Sequence, residues 1–151
     1  MLTKRAVGYR RHTGDLFAPA VALGMVVGRV GCLLAEPPGT PTSLPWGVRL
    51  TPAEAAAIPG CPAWCAAGVP LHPSFVYEIA FHLAAFAALL ALRTRRGPHE
   101  RAEGDLFKLY LLGYALFRFG VEFVRGNEVV WRGLTRSQLF LIPSAALVAP
   151  T

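Results

Sequence analysis

Charged residues are scarce in this chain, and acidic ones are the scarcest. Only 16% of its 151 residues are charged and 54% are hydrophobic, whereas ordinary soluble domains carry about 25% charge. This composition argues against a soluble enzyme, a disordered tail and a nucleic-acid binder. Nine Asp and Glu against fifteen Lys and Arg give a net charge of +6. In so apolar a chain, basic residues are typical of cytoplasmic loops, and the composition predicts a membrane protein.

Cysteine is also rare, with three residues in all: Cys32, Cys61 and Cys65. The CxxxC spacing of the last two is neither the redox CxxC pattern nor a four-ligand zinc set, and no metal is expected. In an extracytoplasmic loop the two could pair as a short structural staple. Two unpaired thiols are the alternative.

Long apolar runs, by contrast, are plentiful. A spanning helix needs about 20 mostly apolar residues, and three stretches qualify: 16–35, 74–92 and 105–124. A fourth, 138–150, is short and resembles a partial span. Residues 37–73 are rich in Pro and Gly and predict an irregular loop with a helical turn at Pro52–Ala57. We expect one all-α membrane domain over residues 1–151, a polytopic helix bundle.

Basic residues are distributed unevenly between these stretches. Most lie in the N-terminal arm and after the second stretch: Lys4, Arg5, Arg10, Arg11, Arg93, Arg95, Arg96 and Arg101. The 37–73 loop has only Arg49. We therefore expect a cytoplasmic N-terminus and an extracytoplasmic 37–73 loop. The 125–137 segment is more basic than this orientation favours, which suggests that its arginines bind a ligand.

The most informative residues are ionisable ones inside or at the ends of the apolar stretches: Arg29, Glu36, Glu78, Lys108, Arg118 and Glu122. A charge near the bilayer centre costs about 2.5–3.5 kcal/mol on insertion scales, so such residues usually face a cavity and pair with each other or a ligand. Lys108 lies near a helix end and can extend to the interface.

Tyr114, Arg118, Glu122 and Arg125 share one helix face. They form either an Arg–Glu pair that only orders the bundle or an anion site, since guanidinium groups bind phosphate through two parallel hydrogen bonds. Arg29 lies in a GRVG segment, which is either a helix-packing motif with an incidental arginine or a means of burying that arginine between helices.

Several motifs together resemble bacterial prolipoprotein diacylglyceryl transferases. They are Gly14-Asp15 with Ala18-Pro19, GRVG at 28–31, Glu36 with Gly39, LPW at 44–46, HPSFVYE at 72–78 and GYALFRFGVEFVRG at 113–126. The resemblance covers nearly the whole chain but only the later part of a family member, which carries further upstream spans with a His-Gly-Gly segment. The family's Asn after GRxG is Cys32 here, and Phe75 stands where Gln is common.

The resemblance implies transfer of a diacylglyceryl group from phosphatidylglycerol to the lipobox cysteine thiol of prolipoproteins. A thioether forms and glycerol phosphate leaves. No cofactor is implied, and the location would be the bacterial plasma (inner) membrane. The partners would be phosphatidylglycerol, prolipoprotein signal peptides and other membrane lipids, with no nucleic acid.

The resemblance also implies roles for individual residues. Arg29 and Arg118 would bind the lipid phosphate, Glu122 would hold Arg118, and Glu36 would line the mouth of the site as a further catalytic residue. The remaining substrate contacts would come from Gly39, His72, Tyr77, Glu78 and Arg125. The base that deprotonates the thiol has no obvious owner, because the upstream histidine would lie outside this chain. His72, a glutamate or a second polypeptide would have to supply it.

Three other classes remain as alternatives. A non-catalytic family remnant would keep lipid binding or only the packing framework. A small transporter or channel would be lined by Arg29, Arg118 and Glu122, although inverted repeats are not evident in the sequence. A membrane thiol oxidoreductase would use Cys61 and Cys65, for which the spacing is poor.

Overall fold

The computed structural model describes residues 14–95 and 105–148. Its helices are α1 (Gly14–Ala35), α2 (Pro52–Ala57), α3 (Ser74–Arg95), α4 (Asp105–Arg125) and α5 (Arg136–Val148). A 3₁₀ turn covers Ala63–Cys65. Two small antiparallel sheets pair β1 (Val48–Arg49) with β2 (Pro70–Leu71) and β3 (Val129–Trp131) with β4 (Leu134–Thr135). The helices match the predicted apolar stretches and the predicted turn, whereas the strands were not predicted.

The described helices have the character of a membrane bundle. By length and composition, α1 and α3 could each cross a membrane. Large apolar side chains stand exposed on the helix surfaces, among them Leu34, Leu116 and Phe140, as expected where lipid rather than water is the solvent. The chain is thus a mostly helical membrane protein. Spans at α4 and α5 remain predictions. So does the orientation, because all four basic residues of the N-terminal arm, together with Arg96 and Arg101, lie outside the described residues.

The apolar core lies where α1 and α4 begin and α3 ends. Its buried members are Ala18, Ala22, Leu89, Leu106 and Tyr110. Two alanines one turn apart let the helix backbones approach closely. At the same end, the Asp15 carboxylate of α1 accepts a hydrogen bond from the Phe107 backbone N–H at 3.2 Å, which satisfies one of the free donors in the first turn of α4. This core aligns the three helices and leaves their other ends for polar groups.

The 37–73 loop folds back onto the opposite end of the bundle. Gly39 N–H donates to the His72 carbonyl at 2.7 Å, and Thr40 N–H donates to the Val124 carbonyl at 2.8 Å. A Cβ at Gly39 would lie only 2.1 Å from the Val124 oxygen. The loop can therefore reach the last turn of α4 only because residue 39 has no side chain.

A helix cap and a disulfide further order this loop. Helix α2 begins with a capping box in which Thr51 and Glu54 exchange hydrogen bonds, and the Thr51 backbone N–H and hydroxyl lower the pKa of the Glu54 carboxyl. Cys61 and Cys65 form a disulfide, which is the staple among the two alternatives. Between them, Trp64 packs against Gly126 directly after α4.

Replacing Gly39 with alanine should loosen the junction between loop and α4, because the new methyl group would collide with backbone and not with a movable side chain. We expect a loss of about 1–3 kcal/mol or more in unfolding free energy, the usual cost of overpacking. Denaturant unfolding of the chain in detergent micelles measures it. The matched control is Gly24→Ala, where an added Cβ meets nothing within 4 Å. Equal stability of the two variants would contradict the close approach.

Candidate functional site

Except for Lys108, which lies in the first turn of α4, the ionisable residues singled out from the sequence gather at the end of the bundle where α1 and α4 end and α3 begins. Arg29 lies two turns before the end of α1, Glu78 lies in the second turn of α3, and Arg118, Glu122 and Arg125 lie in the last turns of α4. Because α3 runs antiparallel to the other two helices, its start meets their ends. Charged groups from three separate apolar stretches thereby become neighbours.

The Glu78 carboxylate is the centre of a first cluster and is fully buried. Its Oε2 lies 2.6 Å from Arg29 Nε, and its Oε1 accepts a hydrogen bond from Arg125 Nη1 at 2.8 Å. Each oxygen therefore has its own guanidinium partner. A buried carboxylate needs such pairing, since an uncompensated charge at this depth would cost several kcal/mol.

Both arginines of this cluster make further contacts. Arg29 Nη2 donates to the Tyr114 hydroxyl of α4 at 3.2 Å. Arg125 Nη2 lies 3.3 Å from an oxygen of Glu36, which follows α1 and is about half exposed, and the Arg125 guanidinium lies over the Phe75 ring at 4.9 Å. The cluster thus links α1, α3 and α4 and is closed toward the solvent by Glu36.

A second cluster surrounds the buried Glu122. One carboxylate oxygen pairs with Arg118 one turn earlier on α4. The other accepts hydrogen bonds from Asn127 Nδ2 at 2.6 Å and from the Thr135 hydroxyl at 2.9 Å. The Arg118 side chain is 14% exposed, whereas the Glu122 side chain is 0% exposed. The carboxylate is therefore fully buried, whereas a small part of its arginine partner stays exposed.

A third group of polar residues lies where α3 begins. Trp46 Nε1 donates to the Tyr77 hydroxyl at 2.9 Å, and that hydroxyl lies 3.2 Å from His72 Nδ1. Since an indole N–H can only donate, the Tyr77 oxygen is its acceptor, and the tyrosine proton is free to point to His72. This arrangement fixes the ring of His72 at the start of α3.

A polar cavity of about 280 Å³ opens next to the second cluster, with Glu122 in its wall. The remaining lining residues come from the α4–α5 connection: Asn127, Glu128, Thr135, Arg136 and Ser137. The cavity gives a hydrated ligand access to the vicinity of the Arg118–Glu122 pair. Such a combination of apolar bundle, cavity and convergent charged groups is typical of a ligand site.

Comparison with known proteins gives a consistent result. A family model described as prolipoprotein diacylglyceryl transferase matches residues 5–149. The chain belongs to this family. Phosphatidylglycerol–prolipoprotein diacylglyceryl transferases from Ruegeria pomeroyi and Cereibacter sphaeroides are 38% and 36% identical over 88% of the chain. The enzyme of Methylococcus capsulatus is 36% identical over 85%.

The chain spans about half the length of these relatives: 49%, 50% and 45% of the three enzymes in the same order. No solved structure matches it. The family membership predicted from the motifs is therefore confirmed.

The family motifs meet in space, although the roles expected for their residues stay predictions. GRVG supplies Arg29, HPSFVYE supplies Glu78, and the helix motif supplies Arg118, Glu122 and Arg125. Glu36 joins the first cluster, His72 and Tyr77 form the third group, and Gly39 serves the loop junction through its backbone. His82 of α3 is also buried, with its Nδ1 3.0 Å from the Tyr110 hydroxyl.

Sequence reasoning missed the partners of Glu122. Thr135 precedes α5, its backbone N–H donates to Gln138 Oε1 at 2.9 Å, and the Gln138 N–H donates back to its hydroxyl at 3.4 Å. This is a T-x-x-Q capping box, a signal that LTRSQ does contain. The Thr135 hydroxyl therefore caps α5 and binds Glu122 at once. Asn127 offered no comparable signal.

Replacing Glu78 with glutamine should destabilise the bundle strongly, since two arginines of the first cluster would lose their buried counter-charge. Breaking a buried pair costs about 3–5 kcal/mol. Glu36→Gln is the matched control because it removes the exposed partner of Arg125, and an exposed ion pair contributes about 1 kcal/mol or less. Denaturant unfolding in detergent compares the two. Equal losses would show that Glu78 is not the centre of the cluster.

Proposed function

We propose that this chain forms the phosphate-binding part of a membrane-embedded diacylglyceryl transferase. The observation that carries the proposal is Arg118: its side chain is partly exposed and is paired with the buried Glu122, and Glu122 lies in the wall of a polar cavity. A planar guanidinium with free N–H groups is suited to two parallel hydrogen bonds with a phosphate. The relatives' names supply the substrate class, phosphatidylglycerol and a prolipoprotein.

The proposed reaction joins a thiol to a lipid carbon. The lipobox cysteine loses its proton, and the thiolate attacks the glycerol carbon that carries the phosphate ester. The C–S bond forms while the C–O bond to phosphate breaks, and glycerol phosphate leaves with the electron pair. Negative charge moves from sulfur to the departing phosphate, so fixed cations around the phosphate lower the barrier.

Arg118 and Arg29 are the cations that we assign to this phosphate. Glu122 would position Arg118 and Glu78 would position Arg29, through the ion pairs of the two clusters. Arg125, already paired with Glu78 and Glu36, would contact the headgroup by exchanging its exposed partner Glu36 for the lipid. The two clusters together balance three arginines with three glutamates, so a bound phosphate would bring the site to net negative charge unless Glu36 moves away.

We expect the base that deprotonates the thiol to lie outside the described residues. When Tyr77 donates to His72 Nδ1, the proton of the neutral imidazole resides on Nε2, and His72 has no free acceptor. Glu78 and Glu122 are committed to arginines. These partners favour a division of labour in which this chain holds the phosphate and another segment or polypeptide takes the proton.

The proposed setting is the bacterial plasma membrane, with the N-terminus in the cytoplasm. Helices α1, α3 and α4 would span it and α5 would enter it in part, which places the clusters near the extracytoplasmic face. The disulfide in the loop supports this orientation, because disulfides persist in oxidising compartments. A lipid could then reach Arg118 from the outer leaflet.

Replacing Arg118 or Arg29 with alanine should lower diacylglyceryl transfer by about 10²–10³-fold, the usual effect of losing one group that stabilises developing negative charge. The assay mixes the chain in phosphatidylglycerol vesicles with a labelled lipobox peptide and detects the thioether product. Arg118→Lys keeps the charge but not the two-pronged geometry and should restore only part of the rate. The matched control is Lys108→Ala, which removes a cation from the exposed start of α4.

Two results would reject the assignment or the activity. Unchanged transfer by Arg118→Ala and Arg29→Ala would remove these residues from the phosphate site. A chain that binds phosphatidylglycerol but neither transfers it nor restores a strain depleted of the transferase would support the non-catalytic alternative. This second test is needed because the chain spans only about half the length of its relatives.

A further inference from the structure

The connection between α4 and α5 is a short hairpin with an apolar surface. Its strands are β3 and β4, and its two-residue turn is Arg132-Gly133, with φ of +45° and +84°. Two left-handed residues are the requirement of a tight type I′ turn. All three residues of β3 are exposed, Val129 by 58%, Val130 by 48% and Trp131 by 55%. Three consecutive exposed apolar residues are unusual for a strand surrounded by water.

The base of this hairpin is fixed to the end of α4. Asn127 on one side and Thr135 on the other both donate to Glu122, at 2.6 and 2.9 Å. The hairpin is therefore held at the level where α4 ends and α5 begins. Each of the two helices also carries an exposed aromatic residue near the hairpin in sequence, Phe123 by 58% and Phe140 by 74%. Exposed apolar side chains therefore flank the hairpin in sequence on both sides.

The hairpin tip combines an aromatic ring with a cation. The Arg132 guanidinium lies 5.0 Å from the centre of the Trp131 ring, a cation–π distance. Tryptophan is enriched at the membrane–water interface, and a long arginine side chain can keep its charged end among the headgroups. This chemistry fits a lipid surface better than the face of a soluble partner.

We propose that the β3–β4 hairpin is an interfacial anchor: Val130 and Trp131 insert at headgroup depth of the bilayer, and Arg132 contacts the phosphates of anionic lipids. The anchor depends on the proposed spanning of α4 and goes beyond the transfer reaction. Its consequence is positional. Because the hairpin also lines the cavity beside Glu122, the anchor keeps that cavity at the depth of lipid headgroups.

Spin-label accessibility tests this placement. In a Cys32→Ala background of the full chain, a nitroxide is attached at Val130→Cys, which preserves Trp131 and Arg132. Two reference labels calibrate the depth: Leu116→Cys, an exposed position in the middle of α4, and Ala53→Cys, an exposed position on α2. In phosphatidylglycerol vesicles, the label at 130 should collide more often with oxygen, which concentrates in lipid, than with a water-soluble nickel chelate. Its depth in the bilayer should lie between the depths of the two reference labels.

Two substitutions separate the contributions. Trp131→Ser should abolish the oxygen preference of the label at 130. With Arg132 present, the label at 130 should lie deeper in anionic phosphatidylglycerol vesicles than in zwitterionic phosphatidylcholine vesicles. Arg132→Gln should abolish this difference and leave the label at 116 unchanged.

The proposal fails if the label at 130 is as accessible to nickel as the one at 53 while the label at 116 stays in lipid. In that case the spanning of α4 survives and the anchor does not. An aqueous label at 116 would overturn both. Spectral broadening at 130 that disappears on dilution with unlabelled chain would show that a second copy covers the hairpin, which also overturns the anchor.

Discussion

One buried carboxylate, that of Glu78, sets the arrangement of the helix ends. It lies on α3 and binds Arg29 of α1 and Arg125 of α4, one through each oxygen. Since a charge without partners is costly in an apolar bundle, the three helices are stable only at axial positions that keep both contacts. The alanine-lined core at the opposite end permits close approach but is less selective about axial position, because apolar contacts have little direction.

The second cluster is also built around a buried carboxylate that needs partners, but it orders a different part of the chain. Glu122 is also buried, but only one of its partners is an arginine, and the others are Asn127 and Thr135 of the α4–α5 connection. The carboxylate therefore orders the hairpin and the start of α5 as well as Arg118. The result is that one buried carboxylate pairs with the partly exposed Arg118 and also lies in the wall of a polar cavity.

Most members of the two charged clusters could be predicted, because ionisable residues are conspicuous in apolar stretches. The cost of placing Arg29 or Glu78 in lipid marked both as site candidates before any contact was known. The Arg118–Glu122 pair could also be predicted, since residues four apart on one helix share a face. Glycine at position 39 carried no such signal: its necessity arises from the Val124 carbonyl, 85 residues later in the chain, which only folding brings near.

The sequence by itself determined the membrane character, the approximate extents of the long helices, the family and which ionisable residues stand out in the apolar stretches. These follow from composition, periodicity and local motifs, which each segment carries alone. Only the tertiary structure decided that Glu78 serves two arginines, that Thr135 joins the cap of α5 to Glu122, and that Trp64 packs against Gly126. Partners distant in sequence are selected by the relative axial positions of packed helices, and no single segment encodes those positions.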